Sequence, residues 1–449
     1  MKTRTKTLIN DDKHYVWHPF TQMKDWLASD NIVIERGKGN WLIDTEGRKY
    51  LDGVSSLWTN LHGHRKKEID EAIKTQLDKI GHSTLLGLAN VPSIALAKKL
   101  AQIAPKGLDH VFYSDDGSTA VEVGLKMSLQ YWQLSGAKDK RLFVAFTGAY
   151  HGDTFGGMSV GEIDVFVARY RPLLFKSIRS PYPYCYRCPI KKRWPDCSLA
   201  CLDVFEKLLA KHHKKTAACI IEPGFEGASG MIVAPPGFLK GVRRLTKKYN
   251  CLLIADEVAS GFGRTGRMFS CDHEGVTPDM LCLAKGLTAG YLPLAATLTT
   301  DDVFNAFLGE RCDAFFHGHT YTGNPLGCSA ALANLRIFEK EDTLEAVKLK
   351  IALLKELLEE SRALPHVGDV RQTGLVAAIE LVADRRTKKA YPAEERIGRR
   401  VSMEARRLGL FIRPLGDVIV IMPPLSIKAN ELRMMINAIN KCIRKVTES

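Results

Sequence analysis

The chain has 449 residues, 45% hydrophobic and 25% charged, which excludes disordered, collagen-like and coiled-coil classes and leaves room for about three domain-sized units. Lys and Arg number 64 against 50 Asp and Glu, a net charge of +14; the basic residues fall in short scattered groups without interleaved aromatics, so solvated helix faces are expected and no nucleic-acid partner. No apolar run reaches the roughly 18 residues of a membrane span, Met1–Phe20 lacks the apolar segment of a secretory signal, and the 11 cysteines are expected to be reduced thiols of a cytoplasmic protein.

The first 20 residues read as a polar arm, followed by a hairpin-like run from Ile32 to Leu51 and a helix. Val111-Phe112-Tyr113 reads as a strand and Ala120 to Trp132 as a helix. Further strand-length apolar runs follow at Leu142–Phe146, Ala218–Ile221, Leu252–Ala255, Leu281–Leu283 and Leu294–Leu298, with helical stretches at Leu202–Lys211 and Pro236–Tyr249 between them. That alternation predicts an α/β domain with a mostly parallel sheet. After Asn324-Pro325 the pattern is mainly helical, with one long amphipathic run from Leu344 to Leu364. A strand (Val376–Leu381), a helix (Arg396–Leu408), two short strands (Leu410–Arg413 and Val418–Met422) and a last helix read as a smaller α+β domain. The expected division is an N-terminal segment, 1–75, contributing to the small domain, a large domain, 76–330, and a C-terminal small domain, 331–449.

Three features carry chemistry. The strand Leu252–Ala255 ends in Asp256-Glu257, and an acid at the carboxyl end of a parallel strand sits where open α/β sheets bind ligands. Lys285 lies 29 residues further on, behind another apolar run; a desolvated lysine becomes a nucleophilic amine able to form a Schiff base. Taken alone, Asp256 reads better as a helix cap and Lys285 as a strand-end surface lysine. The third feature is Ser114-Asp115-Asp116-Gly117-Ser118-Thr119, a small turn opening a helix, which presents free N–H groups to an anion. It lacks the nucleotide-loop pattern and suits a single phosphate. Tyr150, after the strand Leu142–Phe146, is an aromatic able to stack on a flat ring. Phosphate cradle, amine, carboxylate and aromatic together suggest pyridoxal 5′-phosphate (PLP).

Asp256-Glu257-Val258-Ala259-Ser260-Gly261-Phe262-Gly263-Arg264-Thr265-Gly266 followed by Lys285 resembles the signature of the class III (ω-amino acid type) aminotransferases. Trp17-His18-Pro19-Phe20, Ser55-Ser56-Leu57-Trp58, Tyr150-His151-Gly152-Asp153, Phe316-His317-Gly318-His319-Thr320 and Ile412-Arg413-Pro414 are similar to the family's biotin-pathway branch. The resemblance implies fold type I, the aspartate-aminotransferase-like architecture. It implies that Lys285 would hold the cofactor and move the proton, and that Asp256 would pair with the pyridine nitrogen. Val258 would pack on one ring face and Tyr150 on the other, while Gly117 and Ser118 would bind the phosphate. His319 and Thr320 would reach the cofactor of a neighbouring subunit, making the active unit a homodimer with sites at its interface. Phe20, Leu57, Trp58, Tyr150 and Gly318 would border small-molecule substrates, and Arg413 would clamp a carboxylate.

The chain departs from members of that branch whose donor is S-adenosylmethionine, which carry Tyr at the position of Phe20 and Trp at that of Leu57; a lysine-using branch is similar at both, so lysine is the expected donor. Other class III activities, on ornithine, 4-aminobutyrate or a diamine, are the alternative. A binding protein with catalysis lost is the third, argued against by Lys285 and Asp256. No catalytic metal is expected. Cys185, Cys188, Cys197 and Cys201 could hold a structural zinc, with a thiol-bearing loop as the plainer expectation.

Overall fold

Strands buried on both faces must be covered on both sides, and the sequence supplies helices between them for that purpose. A computed structural model describes residues 1–448. Its central sheet contains β1 (His110–Ser114), β2 (Leu142–Phe146), β3 (Ile178–Ser180), β4 (Thr216–Ile221), β5 (Leu252–Asp256), β6 (Met280–Leu283) and β7 (Ala295–Thr299), in the spatial order β1-β7-β6-β5-β4-β2-β3. The neighbours from β6 through β5, β4 and β2 to β3 are parallel; β7 runs against both β6 and β1. Every residue of β4, β5, β6 and β7 is buried. Alternate side chains feed two cores: Val144, Cys219, Leu253 and Leu281 one, Phe143, Ala218, Ile254 and Cys282 the other.

The helix that opens behind β1 spans Gly117–Leu134, three residues earlier than the apolar pattern alone indicates. Asp116 causes this. Its carboxylate accepts the Thr119 N–H at 3.0 Å, and the Thr119 hydroxyl returns to the Asp116 backbone, a capping box that starts the helix at Gly117. The helix crosses the sheet closely at Gly124, where an added Cβ would lie 3.5 Å from Cys282 and Ile254.

The C-terminal part builds a three-stranded antiparallel sheet (Val367–Thr373, Val376–Leu381, Val418–Ile421) with the helices Thr343–Arg362, Ile397–Arg407 and Ala429–Thr447. The N-terminal strands Ile34–Lys38, Trp41–Asp44 and Lys49–Asp52 pair antiparallel, and Leu410–Phe411 adds to them parallel to Lys49–Asp52. Gly53 donates its N–H to the Phe411 carbonyl at 2.9 Å, which draws Ser55–Trp58 and Arg413 into one neighbourhood. The first of the two expected short strands, Leu410–Arg413, ends at Phe411. The N-terminal arm is not extended: Thr3–Tyr15 is a helix, tethered by the Thr5 hydroxyl to that of Thr45 at 3.0 Å. No helix among the described residues is long and apolar enough to cross a membrane.

Candidate active site

The carboxyl ends of β1, β5 and β6 open on one cavity of about 450 Å³, lined among others by Trp58, Gly117, Ser118, Tyr150, His151, Glu222, Asp256, Val258 and Lys285. Sequence reasoning named most of these, and the fold brings them together from six separate segments.

Asp256 ends β5 and is buried. Its Oδ2 lies 2.7 Å from His151 Nδ1, and its Oδ1 accepts the Val258 N–H at 3.1 Å. The carboxylate therefore has a fixed orientation, and His151, whose Nε2 is buried without a partner, serves as its hydrogen-bond donor. Lys285 follows β6, and its ammonium lies 4.9 Å from the centre of the Trp58 ring. Burial lowers the Lys285 pKa; Asp256 first and Glu222 second oppose that shift. The result is an amine more readily uncharged than a surface lysine.

Gly117 is required by space. A Cβ there would stand 2.6 Å from Val258 Cγ1, so the helix start and the Val258 side chain close on each other across the cavity floor. Ser118 Oγ accepts the Asp153 N–H at 3.3 Å. The Gly117 and Ser118 N–H groups, at the positive end of an 18-residue helix, face a space suited to an anion. The Tyr150 hydroxyl donates to Asp153 Oδ2 at 2.6 Å, and burial raises its pKa, Asp153 adding to the effect.

Glu222, one residue beyond β4, went unremarked in the sequence, though the signal that found Asp256 applies to it. Its oxygens accept the Tyr150 and Gly227 N–H groups at 3.0 Å each. Burial pushes its carboxyl up to about 7. Arg264 was quoted only as part of a motif. It is fully buried, donating to the carbonyls of Pro423 at 2.6 Å and Asn60 at 2.9 Å, and burial brings it down to about 9. It binds the loop after β5 to the segment carrying Trp58.

Ser55, Ser56, Leu57 and Trp58 have φ values of 52°, 48°, 72° and 70°. Four consecutive non-glycine residues in the left-handed region cost about 1–2 kcal/mol each, and such strain persists where surroundings over-determine it. Here the Ser55 hydroxyl donates to the Met422 carbonyl at 2.7 Å, and the Ser56 N–H and hydroxyl donate to Asp52 at 2.8 and 2.7 Å. The turn drives Trp58 into the cavity wall and leaves Leu57 40% exposed. Phe20 is 51% exposed; its ring lies 5.2 Å from Phe166 and 5.9 Å from the Arg413 guanidinium. Gly318, His319 and Thr320 do not line this cavity; they lie on a loop flanked by exposed Phe316 and Tyr321.

Cys185, Cys188, Cys197 and Cys201 line one narrow cavity with Trp194 and Pro235, as free thiols. Among the described residues no group of three or more His, Cys, Asp or Glu side chains could hold a metal ion. Burial pushes the Cys185 and Cys201 thiols up to about 11.

The family described as Aminotransferase class-III matches residues 25–443. An adenosylmethionine-8-amino-7-oxononanoate aminotransferase from Geobacter sulfurreducens is 55% identical over 446 residues, 99% of this chain and 98% of that protein. The crystal structure of the enzyme of that name from Methanocaldococcus jannaschii superposes with a TM-score of 0.94 at 49% identity, covering 98% of this chain and 99% of that one. An amine transaminase from an uncultivated Pseudomonas species, solved in the PLP-bound form, gives a TM-score of 0.91 at 37% identity, covering 96% and 99%. The architecture is that of the fold type I PLP-dependent transferases, and the cofactor is pyridoxal 5′-phosphate, which the glycine-floored anion cradle, the oriented Asp256 carboxylate and the desolvated Lys285 amine fit. On the strength of the matched 25–443 span and a relative 55% identical over 98% of its length, the chain belongs to the class III aminotransferases.

Proposed function

We propose that the enzyme transfers an amino group to 8-amino-7-oxononanoate, giving 7,8-diaminononanoate. The observation that carries this reading is Arg413. Its guanidinium is half-buried beside Phe20, and burial lowers its pKa with only Tyr150 opposing. A desolvated guanidinium without a carboxylate partner suits the carboxylate of a keto acid, which it can bind bidentately. Relatives over 50% identical carry this acceptor in their names.

When bound, PLP supplies the electron sink that allows the amine-bearing carbon to lose a proton. The chain's residues do the rest. The N–H groups of Gly117 and Ser118 hold the phosphate. Asp256, oriented by His151 and the Val258 N–H, keeps a proton on the pyridine nitrogen. Val258 and Tyr150 confine the ring, and Trp58 excludes water behind it. Lys285 would anchor the cofactor, and its uncharged nitrogen would be the group that takes a proton from the substrate carbon and gives one back.

The active unit is a homodimer in the cytosol. Leu86, Leu88, Val91, Ile94, Phe316 and Tyr321 are exposed apolar side chains, and their two segments are joined by Asn90 donating to the Gly323 carbonyl at 3.0 Å and by the His82 and Tyr321 rings 5.1 Å apart. An apolar face of this kind supports a second subunit, to which His319 and Thr320 would then be presented. That residues 1–75 contribute to the small domain is supported by Leu410–Phe411 completing the N-terminal sheet.

For the amino donor, the relatives' names carry adenosylmethionine, while Phe20 and Leu57 favour lysine. An adenosyl group here would lack the additional indole that Leu57 replaces, worth ~0.5–1.5 kcal/mol, and the phenol hydrogen bond that Phe20 removes, worth about 1 kcal/mol. Lysine needs neither. Lysine is expected to discharge the bound cofactor roughly ten- to fifty-fold faster than adenosylmethionine at equal concentration, read by stopped-flow absorbance. A faster reaction with adenosylmethionine would leave the acceptor assignment standing and return the donor to the relatives' one.

A further inference from the structure

Lys285 adopts φ +43° and Ala289 φ +52°, so the short turn between them is bounded by two left-handed non-glycine residues. A turn of this kind holds only where its surroundings dictate it. Gly286 inside it has no room for a Cβ, which would meet Phe262 Cβ at 3.0 Å. The polar partner of the turn is Asn334, fully buried on the helix Pro325–Lys340. Its Nδ2 lies 2.9 Å from the Gly286 carbonyl and 2.9 Å from the Leu287 carbonyl. Both amide hydrogens are thereby committed, and Oδ1 can only accept. His62 Nε2 stands 2.7 Å from that oxygen and must be the donor.

The chain His62–Asn334–turn therefore has one hydrogen pattern. Burial brings His62 down to about 4, keeping the imidazole neutral at working pH, with its single N–H on Nε2. Neither residue lines the cavity. Their three hydrogen bonds tie the loop before Gly63, the helix Pro325–Lys340 and the backbone directly after Lys285 into one piece.

We propose that Asn334, oriented by His62, is a positioning residue that fixes the backbone turn behind Lys285 and so aims its amine at the cofactor and substrate carbon. The proposal rests on Lys285 being the anchoring amine. A reacting nitrogen moved by about 1 Å loses on the order of a hundredfold in rate, so the clamp acts on turnover more than on substrate affinity.

The test compares Asn334→Asp and Asn334→Leu, His62→Leu and His62→Gln, each loaded with PLP. Asn334→Asp keeps the shape but turns acceptors onto two carbonyls; Asn334→Leu removes all three bonds; His62→Gln keeps an N–H donor. Borohydride reduction followed by peptide mass spectrometry locates the covalently held cofactor. A pH titration of its visible absorbance reads the environment of the Lys285 nitrogen. Asn334→Asp, Asn334→Leu and His62→Leu are expected to move that titration by about one unit and to lower kcat about ten- to hundredfold with KM nearly unchanged. His62→Gln is expected to restore both. Should the Asn334 variants fail to fold, the His62 pair carries the comparison. Unchanged titration and kcat in His62→Leu, or a His62→Gln no better than His62→Leu, overturns the clamp while an adduct at Lys285 preserves the anchoring role. An adduct on a different lysine in the wild-type enzyme overturns both.

Discussion

Lys285→Ala is expected to lose transamination by more than about 10⁴-fold while keeping its fold. On the proposed mechanism the side chain would supply two functions at once, the covalent anchor and the base that moves the proton, and proton transfer by a positioned group alone contributes about 10²–10⁴-fold. The side chain forms no ion pair that its removal would orphan; it is a desolvated amine facing a cavity, with Asp256 and Glu222 as its charged neighbours. Removing it relieves a desolvation cost, so the thermal midpoint of the cofactor-free protein should not fall. Steady-state turnover and melting curves on the same preparation check both halves. Near-normal transamination by the variant, without added amine, would show that another lysine carries the chemistry.

Asp256→Asn is expected to retain bound cofactor and lose about 10²–10³ in the rate of each half-reaction, the scale on which removing one preorganised electrostatic partner acts. The amide keeps the shape and can still meet the Val258 N–H and, with the other imidazole tautomer, His151 Nδ1. It cannot hold a proton on the ring nitrogen facing it, because it carries no charge. Single-turnover rates separate this from a binding defect, since weaker cofactor retention would appear as a dependence on added PLP. Half-reaction rates equal to wild type would remove Asp256 from that role.

The central sheet was legible because its strands are buried on both faces and read as unbroken apolar runs. Leu252–Asp256 and Met280–Leu283 are such runs; the first ends in Asp256 and the second is followed two residues later by Lys285. Ile178–Ser180 was not, being three residues of mixed polarity beside β2. The Thr3–Tyr15 helix escaped because Thr5 is its one buried residue, so no periodic face marks it; its order comes from tethers to Thr45 and Glu46.

In the site, single residues at strand ends were visible, and residues that act through tertiary contact were not. Glu222 shares the strand-end signal of Asp256 but came without a partner in the motif. Nothing local marks Arg264 as fully buried, since its partners are backbone carbonyls of Asn60 and Pro423, 204 and 159 residues away in the chain. The left-handed turn Ser55–Trp58 contains no glycine, so the usual sign of positive φ is missing; it is imposed by Asp52 and the Met422 carbonyl. Asn334 is the same case, a polar residue in an apolar helix whose purpose appears only when the turn after Lys285 is packed against it.

The most direct test of the assigned chemistry is a single turnover from the aminated side. The protein is loaded with pyridoxamine phosphate, the form in which a Pseudomonas jessenii relative was solved, and mixed with 8-amino-7-oxononanoate or, separately, with succinate semialdehyde at equal concentration. The proposed function predicts return of the yellow absorbance at least about tenfold faster with 8-amino-7-oxononanoate, with 7,8-diaminononanoate formed one per site. A faster return with succinate semialdehyde, or no diamine formed, would contradict the account.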